Sequence, residues 1–319
     1  MFRAFQINNS SLARWWRRRA SRHVSSQSPV ILGGCPRSGT TLLRVMLDSH
    51  PRIVCGPETS LFTGGFIPHK LAARFDMSEP EIWALHDQAG DHAQFVERFF
   101  SRYAERRGRS RWADKTPQNI RHLDYIYRHF PEARFVHVIR DGRDVVCSMR
   151  THPKFRVVNG QPVETNIRRP LRPCIEMWLE DTGCGMAWRG RSKYFELRYE
   201  DLVGAPEKTL RSLCEYLGET FDGAMLEYHA RHDSSRDAAR FAANEAATQP
   251  LSKESIGRWR NDLTDDEQKL FAQLAGHRLC ELGYGNDSSS SASQPGTAGK
   301  QPPHNAAGKP ALATPRTPL

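Results

Sequence analysis

The strongest constraint on the fold is a short apolar run followed at once by a glycine-containing loop and an amphipathic helix. Pro29–Gly33 predicts a buried strand, Gly34–Thr41 a turn, and Thr40–Ser49 a helix with its apolar side chains on one stripe. Glycine permits the tight turn, and backbone N–H groups at a helix N-terminus attract anions. The segment therefore predicts an anion-binding loop, although an ordinary strand-to-helix turn would have the same local pattern.

Strand and helix patterns alternate through the rest of the chain. Further short strands are predicted at Ile53–Cys55, Arg134–Ile139 and Tyr194–Leu197. Further helices are predicted at Glu79–Arg107, Gly142–Arg150 and Pro206–Leu217. This order predicts an α/β fold, a P-loop-type parallel sheet with helices on both faces. Ligands of such sheets bind beyond the carboxyl ends of the strands.

Composition divides the chain into three parts. Residues 1–27 form a basic segment that is expected to be a flexible N-terminal leader, with a membrane-surface arm or a targeting peptide as the alternatives. Residues 28–285 contain the strand and helix patterns and are expected to form the folded domain. Residues 286–319 are rich in Ser, Pro, Gly and Ala, which predicts a disordered tail.

Charge and cysteine content limit the function classes. The net charge of +10 favours an anionic partner, which could be nucleic acid, a membrane surface or a phosphate-rich small ligand. The seven cysteines are scattered, odd in number and without C-x-x-C spacing, which argues against a disulfide framework or a zinc ribbon. No apolar run approaches the roughly 20 residues of a membrane-spanning helix. The cysteine pattern predicts buried free thiols in a reducing compartment, and the expected location is the cytoplasm.

The loop Gly34–Thr41 has the spacing of the phosphate-binding motif G-x-x-x-x-G-K-[ST], with Thr40 in the place of the lysine. In nucleoside triphosphatases that lysine reaches the β and γ phosphates, and magnesium is bound nearby. Here Arg37 supplies the cation, and no strand ends in an aspartate that resembles a second magnesium site. A ligand with one phosphate at this position, bound without a metal, fits the loop better than a triphosphate.

Several segments occur in the order and spacing of a known family. They are Pro36–Arg44, Leu47–Pro51, Cys55–Thr59, Phe135–Ser148, Tyr199–Leu202 and Ser255–Trp259. Together they resemble the sulfotransferases that use 3′-phosphoadenosine 5′-phosphosulfate (PAPS), nearest to the branch with the tyrosylprotein sulfotransferases. The resemblance implies transfer of the sulfonyl group of PAPS to a hydroxyl or amine, with adenosine 3′,5′-bisphosphate (PAP) as the product.

The resemblance also implies which residues bind the donor. The residues for the 5′ phosphosulfate are Arg37, Ser38, Gly39, Thr40 and Thr41. Those for the 3′ phosphate are Arg140 and Ser148, and those that contact or close over the nucleotide are Tyr199, Ser255 and Arg258. An arginine can bind a phosphate with two parallel hydrogen bonds, which suits Arg140 at the end of a strand. From the residues alone, Arg140–Asp141 could equally be a turn with a surface ion pair, and Tyr199 a tyrosine packed on the sheet.

By the same resemblance, Glu58 is the general base, and Lys115 steadies the transferring group together with Arg37. Sulfonyl transfer is an in-line displacement that needs a base for the acceptor's proton and cations for the departing phosphate. His50 and His137 are rival bases. They are less favoured because His50 follows a helix, where imidazole often caps carbonyl groups, and His137 lies inside a strand.

Departures from the family pattern bear on the acceptor. Ser60 stands where the tyrosylprotein branch has an arginine that helps to bind acidic peptides, and His152 stands where it has an arginine near the 3′ phosphate. The expected acceptor is therefore a small molecule, a lipid headgroup or a saccharide, ahead of a tyrosine-containing peptide. No nucleic-acid partner is expected. The alternative functions are a magnesium-dependent P-loop kinase or triphosphatase, and a basic module that binds nucleic acid or a membrane surface.

Overall fold

The computed structural model describes residues 11–152, 154–158, 161–165, 168–231 and 249–285. The strands in these ranges are β1 Val30–Gly33, β2 Ile53–Cys55, β3 Arg111–Lys115, β4 Arg134–Ile139, β5 Lys154–Val158, β6 Gln161–Thr165 and β7 Tyr194–Arg198. The helices in the first half are α1 Ser11–Ala20, α2 Thr40–Asp48, α3 Pro68–Ala72, α4 Glu79–Asp87, α5 His92–Arg106, α6 Leu123–His129 and α7 Gly142–Thr151. Those that follow are α8 Leu171–Met186, α9 Tyr199–Gly204, α10 Pro206–Leu217, α11 Tyr228–Arg231, α12 Trp259–Asp262 and α13 Asp265–Glu281.

Five of the strands form one parallel sheet in the order β2-β3-β1-β4-β7. In its centre Leu32 of β1 lies opposite Lys115 of β3 on one side and Val136 of β4 on the other. Strands β5 and β6 form a separate antiparallel hairpin. The parallel sheet confirms the predicted α/β class.

Helices cover both faces of the sheet because side chains of successive strand residues alternate between the faces. Ile31 and Phe135 face one side, where they join an aromatic-rich core with residues of α5 and α6. Leu32 and Val136 face the other side and pack with residues of α2 and α10. A third cluster joins α7, α8 and α13 near the end of β4.

The sheet order creates a crevice at the carboxyl ends of β1 and β4. The chain leaves β1 toward β2 on one side of the sheet and leaves β4 toward β7 on the other. Loops that depart in opposite directions from neighbouring parallel strands leave space between them for a ligand. The loop after β1 and Arg140 after β4 meet at this point.

Several elements differ from the sequence expectation. The helix predicted over Glu79–Arg107 is divided into α4 and α5, because the Asp91 carboxylate accepts the backbone N–H of Gln94 at 3.0 Å and begins a new helix. Strand β3, the hairpin of β5 and β6, and helix α8 were not predicted. Of these, β3 matters most for function because it ends at Lys115.

Residues 11–27 also differ from the flexible leader that the sequence predicts. Helix α1 and the segment after it pack on the domain: Arg17 Nε donates to the Gly64 carbonyl at 2.9 Å, and the Ser25 N–H donates to the His129 carbonyl at 2.7 Å. Residues 1–10 and the predicted tail, 286–319, lie outside the described residues. Within the described ranges, each helix is too short or too polar to cross a membrane.

Candidate active site

The loop between β1 and α2 has a backbone that few residues tolerate. Gly39, the N-cap of α2, has φ +92°, and a Cβ added there would lie 2.3 Å from the ring of Tyr199. Arg37 has φ +74°, which is uncommon for a residue with a side chain. Such conformations concentrate at sites where the backbone approaches a ligand. Only glycine fits at position 39 without displacing Tyr199.

The first turn of α2 is suited to an anion. Within the described chain, no side chain caps the helix N-terminus at Gly39. The N–H groups of this turn therefore remain available, and the helix dipole adds partial positive charge. Ser38 and Thr40 are buried in the loop. The Thr41 hydroxyl accepts a hydrogen bond from Lys115 Nζ at 3.2 Å.

Arg140 lies at the end of β4 and is almost completely buried. Its Nη1 donates to the Arg37 carbonyl at 3.0 Å, its Nη2 donates to the Ser255 carbonyl, and its guanidinium stacks over the ring of Tyr199 at 4.5 Å. Its buried Nε has no hydrogen-bond partner among the described residues. A buried N–H without a partner is costly, and an anion bound beside it would satisfy it.

Positive charge is concentrated around Arg37. Arg37 Nε donates to the Ser148 hydroxyl at 3.1 Å, which joins the loop after β1 to helix α7. Burial lowers the pKa of Arg37, and the charges of Arg140 and Arg258 lower it further, against the opposing effect of Glu58. The structure thus brings two loops and the segment around Arg258 to one electropositive site.

The segment Ser255–Trp259 is held over this site. The hydroxyls of Tyr199 and Ser255 are hydrogen-bonded at 2.6 Å. The Asp144 carboxylate of α7 accepts the backbone N–H groups of Gly257 at 2.7 Å and Trp259 at 3.0 Å. Arg258 Nε donates to Asp262 at 2.5 Å. The late segment of the chain therefore closes one side of the crevice.

Glu58 and Lys115 form an ion pair beside the loop. Lys115 Nζ lies 2.6 Å from Glu58 Oε1 and contacts Thr41 at the same time. The Lys115 side chain is only 4% exposed, whereas that of Glu58 is 45% exposed. Both residues come from the ends of the neighbouring strands β2 and β3. A solvent-facing carboxylate and a buried ammonium thus meet next to the anion-binding turn.

A buried network that sequence reasoning missed supports this pair. The Asp114 carboxylate accepts the Thr59 hydroxyl at 2.9 Å and Asn119 Nδ2 at 2.7 Å. Burial raises the pKa of Asp114 to about 6, although these hydrogen bonds lower it. Asp114 precedes Lys115, and Thr59 follows Glu58. The signal in the sequence was that a polar residue is adjacent to each candidate: Asp114 to Lys115, and Thr59 to Glu58. The two pairs lie at the ends of strands that prove to be neighbours.

The two rival histidines are engaged elsewhere. His50 is buried, its Nε2 donates to the Thr220 carbonyl at 2.9 Å, and its Nδ1 accepts the Arg52 N–H at 3.2 Å. His137 is fully buried, its Nδ1 is hydrogen-bonded to the Tyr194 hydroxyl at 2.6 Å, and burial lowers its pKa to about 3. Both contacts are structural, and neither ring faces a surface that an acceptor could reach.

Comparison with known proteins shows the family of the chain. A model described as "Sulfotransferase family" matches residues 29–223, more than half of the chain. The chain belongs to the sulfotransferase family. It is 30% identical to protein-tyrosine sulfotransferase 2 of Gallus gallus over 284 residues, covering 83% of this chain and 72% of that protein. It is 28% identical to the nodulation protein NoeE of Sinorhizobium fredii, covering 83% and 68% of the two chains.

Solved structures agree with the fold. The sulfotransferase domain of the Synechococcus olefin synthase superposes with a TM-score of 0.59 at 23% identity, covering 80% of this chain and 97% of that one. A mouse sulfotransferase, SULT7A1, solved in complex with PAP, has a TM-score of 0.53 at 15% identity, covering 87% and 93%.

Family membership confirms the predicted activity. This sulfotransferase transfers a sulfonyl group, and PAPS, the donor of the family, is its co-substrate. The kinase and binding-module alternatives are not favoured. The residues present fit the donor, because the uncapped helix N-terminus at Gly39 and Arg140 Nε, which has no hydrogen-bond partner among the described residues, both suit an anionic group.

Proposed function

We propose that this sulfotransferase binds PAPS with its glycine loop and Arg140 and uses Glu58 to deprotonate a hydroxyl or amine acceptor. The observation that carries the proposal is the contact series from Glu58 through Lys115 to Thr41. Lys115, a buried cation, lies within hydrogen-bonding distance of both Glu58, a base with access to solvent, and Thr41 of the anion-binding turn.

Donor binding is divided between the two loops. Residues Arg37–Thr41 and the N-terminus of α2 would bind the 5′ phosphosulfate. Arg140 and Ser148 would bind the 3′ phosphate, where Arg140 Nε gains the partner that it lacks. Tyr199, Ser255 and Arg258 would close over the nucleotide. The contacts between these residues support the division, since Arg140 already touches Arg37, Tyr199 and Ser255.

Transfer requires that a proton leaves the acceptor and that the bond from sulfur to the phosphate is replaced by a bond from sulfur to the acceptor. Glu58 takes the proton, so that the acceptor's oxygen or nitrogen forms a bond to sulfur while the bond from sulfur to the 5′-phosphate oxygen breaks. Lys115 and Arg37 stabilise the charge that develops on that oxygen. Lys115 is buried and contacts both Glu58 and Thr41, so its ammonium group can exchange the Glu58 carboxylate for the phosphate of the donor.

The acceptor is proposed to be a small molecule, a saccharide or a lipid headgroup. Ser60 supports this, because position 60, two residues after Glu58, has no cation to bind an acidic peptide. The backbone of Ser60 has φ +61°, and its N–H donates to the Thr116 hydroxyl. The relatives named protein-tyrosine sulfotransferase make a tyrosine peptide the rival acceptor. A screen with sulfur-labelled PAPS against phenols, saccharides, lipids and an acidic tyrosine peptide decides between them. Labelling of the peptide alone would contradict the proposal.

Donor recognition can be tested without an acceptor. Calorimetry should give PAP the same affinity with and without a metal chelator. Adenosine 5′-phosphate should bind more weakly, because it lacks the phosphate assigned to Arg140. Arg140→Ala should remove most of the difference between the two nucleotides. Equal affinity of both nucleotides for the parent enzyme would contradict the assignment of Arg140.

The cytoplasm is the proposed location. The seven cysteines are free thiols, and five of them are buried, which suits a reducing compartment. Cell fractionation with thiol labelling would test this. Recovery of the protein with oxidised cysteines from a secretory compartment would contradict it.

A further inference from the structure

Helix α1 packs on the loop that follows Glu58. Arg17 Nε donates to the Gly64 carbonyl at 2.9 Å, and a Cβ added at Gly64 would lie 2.6 Å from the Arg14 carbonyl oxygen. Gly64 has φ +79°, a conformation that favours glycine. The absence of a side chain at this position lets the backbone of the loop and the backbone of α1 approach each other closely.

The contact with α1 lies in a tight turn, residues 60–65. The Ser60 carbonyl accepts the Gly65 N–H at 3.0 Å, and the Leu61 carbonyl accepts the Gly64 N–H at 2.8 Å. A Cβ added at Gly65 would lie 2.9 Å from the Ser60 carbonyl oxygen, so the two ends of the turn are packed on each other. A shift at Gly64 would therefore reach Ser60 through a short, hydrogen-bonded unit.

The first residue of the 60–65 turn is bound next to the ion pair of Glu58 and Lys115. The Ser60 N–H donates to the Thr116 hydroxyl at 3.2 Å, and Thr116 is the residue after Lys115. Ser60 is also two residues after Glu58, whose carboxylate Lys115 binds at 2.6 Å. A displacement of the turn would therefore move the backbone beside both members of the pair.

Helix α5 supports the same turn from the core. His92 is buried, and its Nε2 donates to the Leu61 carbonyl at 2.9 Å. Burial lowers the pKa of His92 to about 4, although this hydrogen bond raises it, so the ring is neutral and donates one N–H. The turn is thus held by α5 at Leu61 and by α1 at Gly64.

We propose that α1 belongs to the acceptor side of the active site and that Arg17 is a positioning residue for Glu58. The proposal rests on the assignment of Glu58 as the base. Arg17 acts through Gly64 and the 60–65 turn, whereas the donor loop is held by other elements, since Arg37 donates to Ser148 of α7. Loss of the Arg17 contact should therefore impair the reaction with the acceptor and spare donor binding.

The first test is Arg17→Ala in the full chain. Transfer from sulfur-labelled PAPS to phenol gives kcat/KM for an acceptor, and calorimetry gives PAP affinity. The acceptor kcat/KM should fall about tenfold or more, because a misplacement of about 1 Å at a reacting group can cost about 10²-fold. PAP affinity should stay within about twofold of the parent value. Arg17→Lys keeps a charged donor for the Gly64 carbonyl and should recover most of the loss.

Arg18→Ala is the matched control. It removes the same charge from the same helix, but Arg18 lies over the ring of Tyr125 at 5.2 Å and 3.9 Å from Asp124, both in α6. Thermal unfolding of Arg17→Ala and Arg18→Ala measures how much each contact stabilises the domain. Only Arg17→Ala should lower the acceptor kcat/KM, since only Arg17 of these two contacts the turn.

Hydrogen exchange gives a second measurement, which needs no acceptor. Arg17→Ala should make the peptide over residues 60–65 exchange at least about fivefold faster, because the turn opens more often. Gly64→Ala tests the same contact from the other side, since its Cβ would meet the Arg14 carbonyl, and it should have the same effect. Gly108→Ala, with φ +61° and open space around it, carries the backbone strain alone and should leave this exchange unchanged.

Two results would overturn the proposal. One is a parental acceptor kcat/KM in Arg17→Ala. The other is a loss in Arg18→Ala, or a loss of PAP affinity in Arg17→Ala, that matches the loss of acceptor kcat/KM, since either would make general stabilisation of the domain the role of α1. The outcome for Glu58→Gln is separate: parental turnover there would remove the base assignment, while faster exchange and lower acceptor kcat/KM in Arg17→Ala would still place α1 on the acceptor side.

Discussion

Replacing Glu58 by glutamine tests whether the carboxylate is the base. The substitution keeps the size of the side chain, and the amide oxygen can still accept the hydrogen bond from Lys115 Nζ that the carboxylate accepts at 2.6 Å. It removes the charge and the basicity. General-base catalysis contributes about 10²–10⁴-fold, so turnover should fall by that factor, which corresponds to about 3–5 kcal/mol in the barrier.

The cost in stability should be smaller. A hydrogen bond to a charged group contributes about 1.5–3 kcal/mol, and the 45% exposure of Glu58 brings the expected loss to about 1–2 kcal/mol. PAP affinity should stay equal or rise, because Lys115 no longer has to leave a carboxylate to reach a phosphate. Turnover should therefore change far more than either donor affinity or the free energy of unfolding.

Lys115→Met and the double variant complete the test. In the proposed mechanism Lys115 stabilises charge that grows as the phosphate departs, so Lys115→Met should also lower turnover more than donor affinity. Since the two groups touch, the double variant should lose less than the product of the single losses. The assay is transfer from sulfur-labelled PAPS to any acceptor in use, with PAP affinity measured separately. Parental turnover in Glu58→Gln would falsify the base assignment.

Three further predictions rest on individual residues. Gly39→Ala should weaken PAP binding at least about tenfold, since its Cβ would meet Tyr199 at 2.3 Å, whereas Gly190→Ala, with φ +80° and open space around it, should cost stability alone. Tyr199→Phe and Ser255→Ala should each lower PAP affinity modestly, by about the strength of one hydrogen bond, and their combination should add little, because both remove the same 2.6 Å contact. Burial holds the pKa of His137 at about 3, below its unfolded value of about 6.5, so the unfolded state binds more protons between these values. The free energy of unfolding, measured in urea, should therefore fall as the pH decreases from about 6.5 toward 3. Its slope against pH should be smaller in His137→Asn. An unchanged slope would contradict the inference that the buried, neutral His137 causes part of this loss.

The sequence predicted the central part of the sheet well. Strand β1, the glycine loop and helix α2 follow from an apolar run, a turn motif and a helical stripe that are all local. Arg140 was predicted at the end of β4 for the same reason. The resemblance supplied the roles of five residues, and the structure joins these residues in one series of hydrogen bonds and ring stacking: Ser148, Arg37, Arg140, Tyr199 and Ser255.

Elements that depend on tertiary contacts could not be predicted in this way. Strand β3 has a short and mixed pattern, because Asp114 and Lys115 are charged and yet buried. Burial of both is compensated by hydrogen bonds that local periodicity does not report: Asp114 accepts from Thr59, and Lys115 donates to Glu58 and Thr41, all distant in the sequence. The docking of α1 is similar: its arginines suggest solvent exposure, but Arg17 is used to bind the carbonyl of Gly64.

The buried carboxylate of Asp114 explains why Glu58 and Lys115, the proposed catalytic pair, have a defined geometry. Glu58 is largely exposed, and an exposed side chain after a three-residue strand would sample many positions. Its neighbour Thr59 is held by Asp114, and the Glu58 carbonyl accepts a hydrogen bond from Arg74 at 2.9 Å, so both the residue after Glu58 and its own backbone are anchored. Lys115 is anchored because it continues the same strand as Asp114. The order of strands β2 and β3 thus does more than place two side chains near each other, since Asp114 holds Thr59 beside Glu58 while Lys115, the next residue after Asp114, binds the Glu58 carboxylate at 2.6 Å.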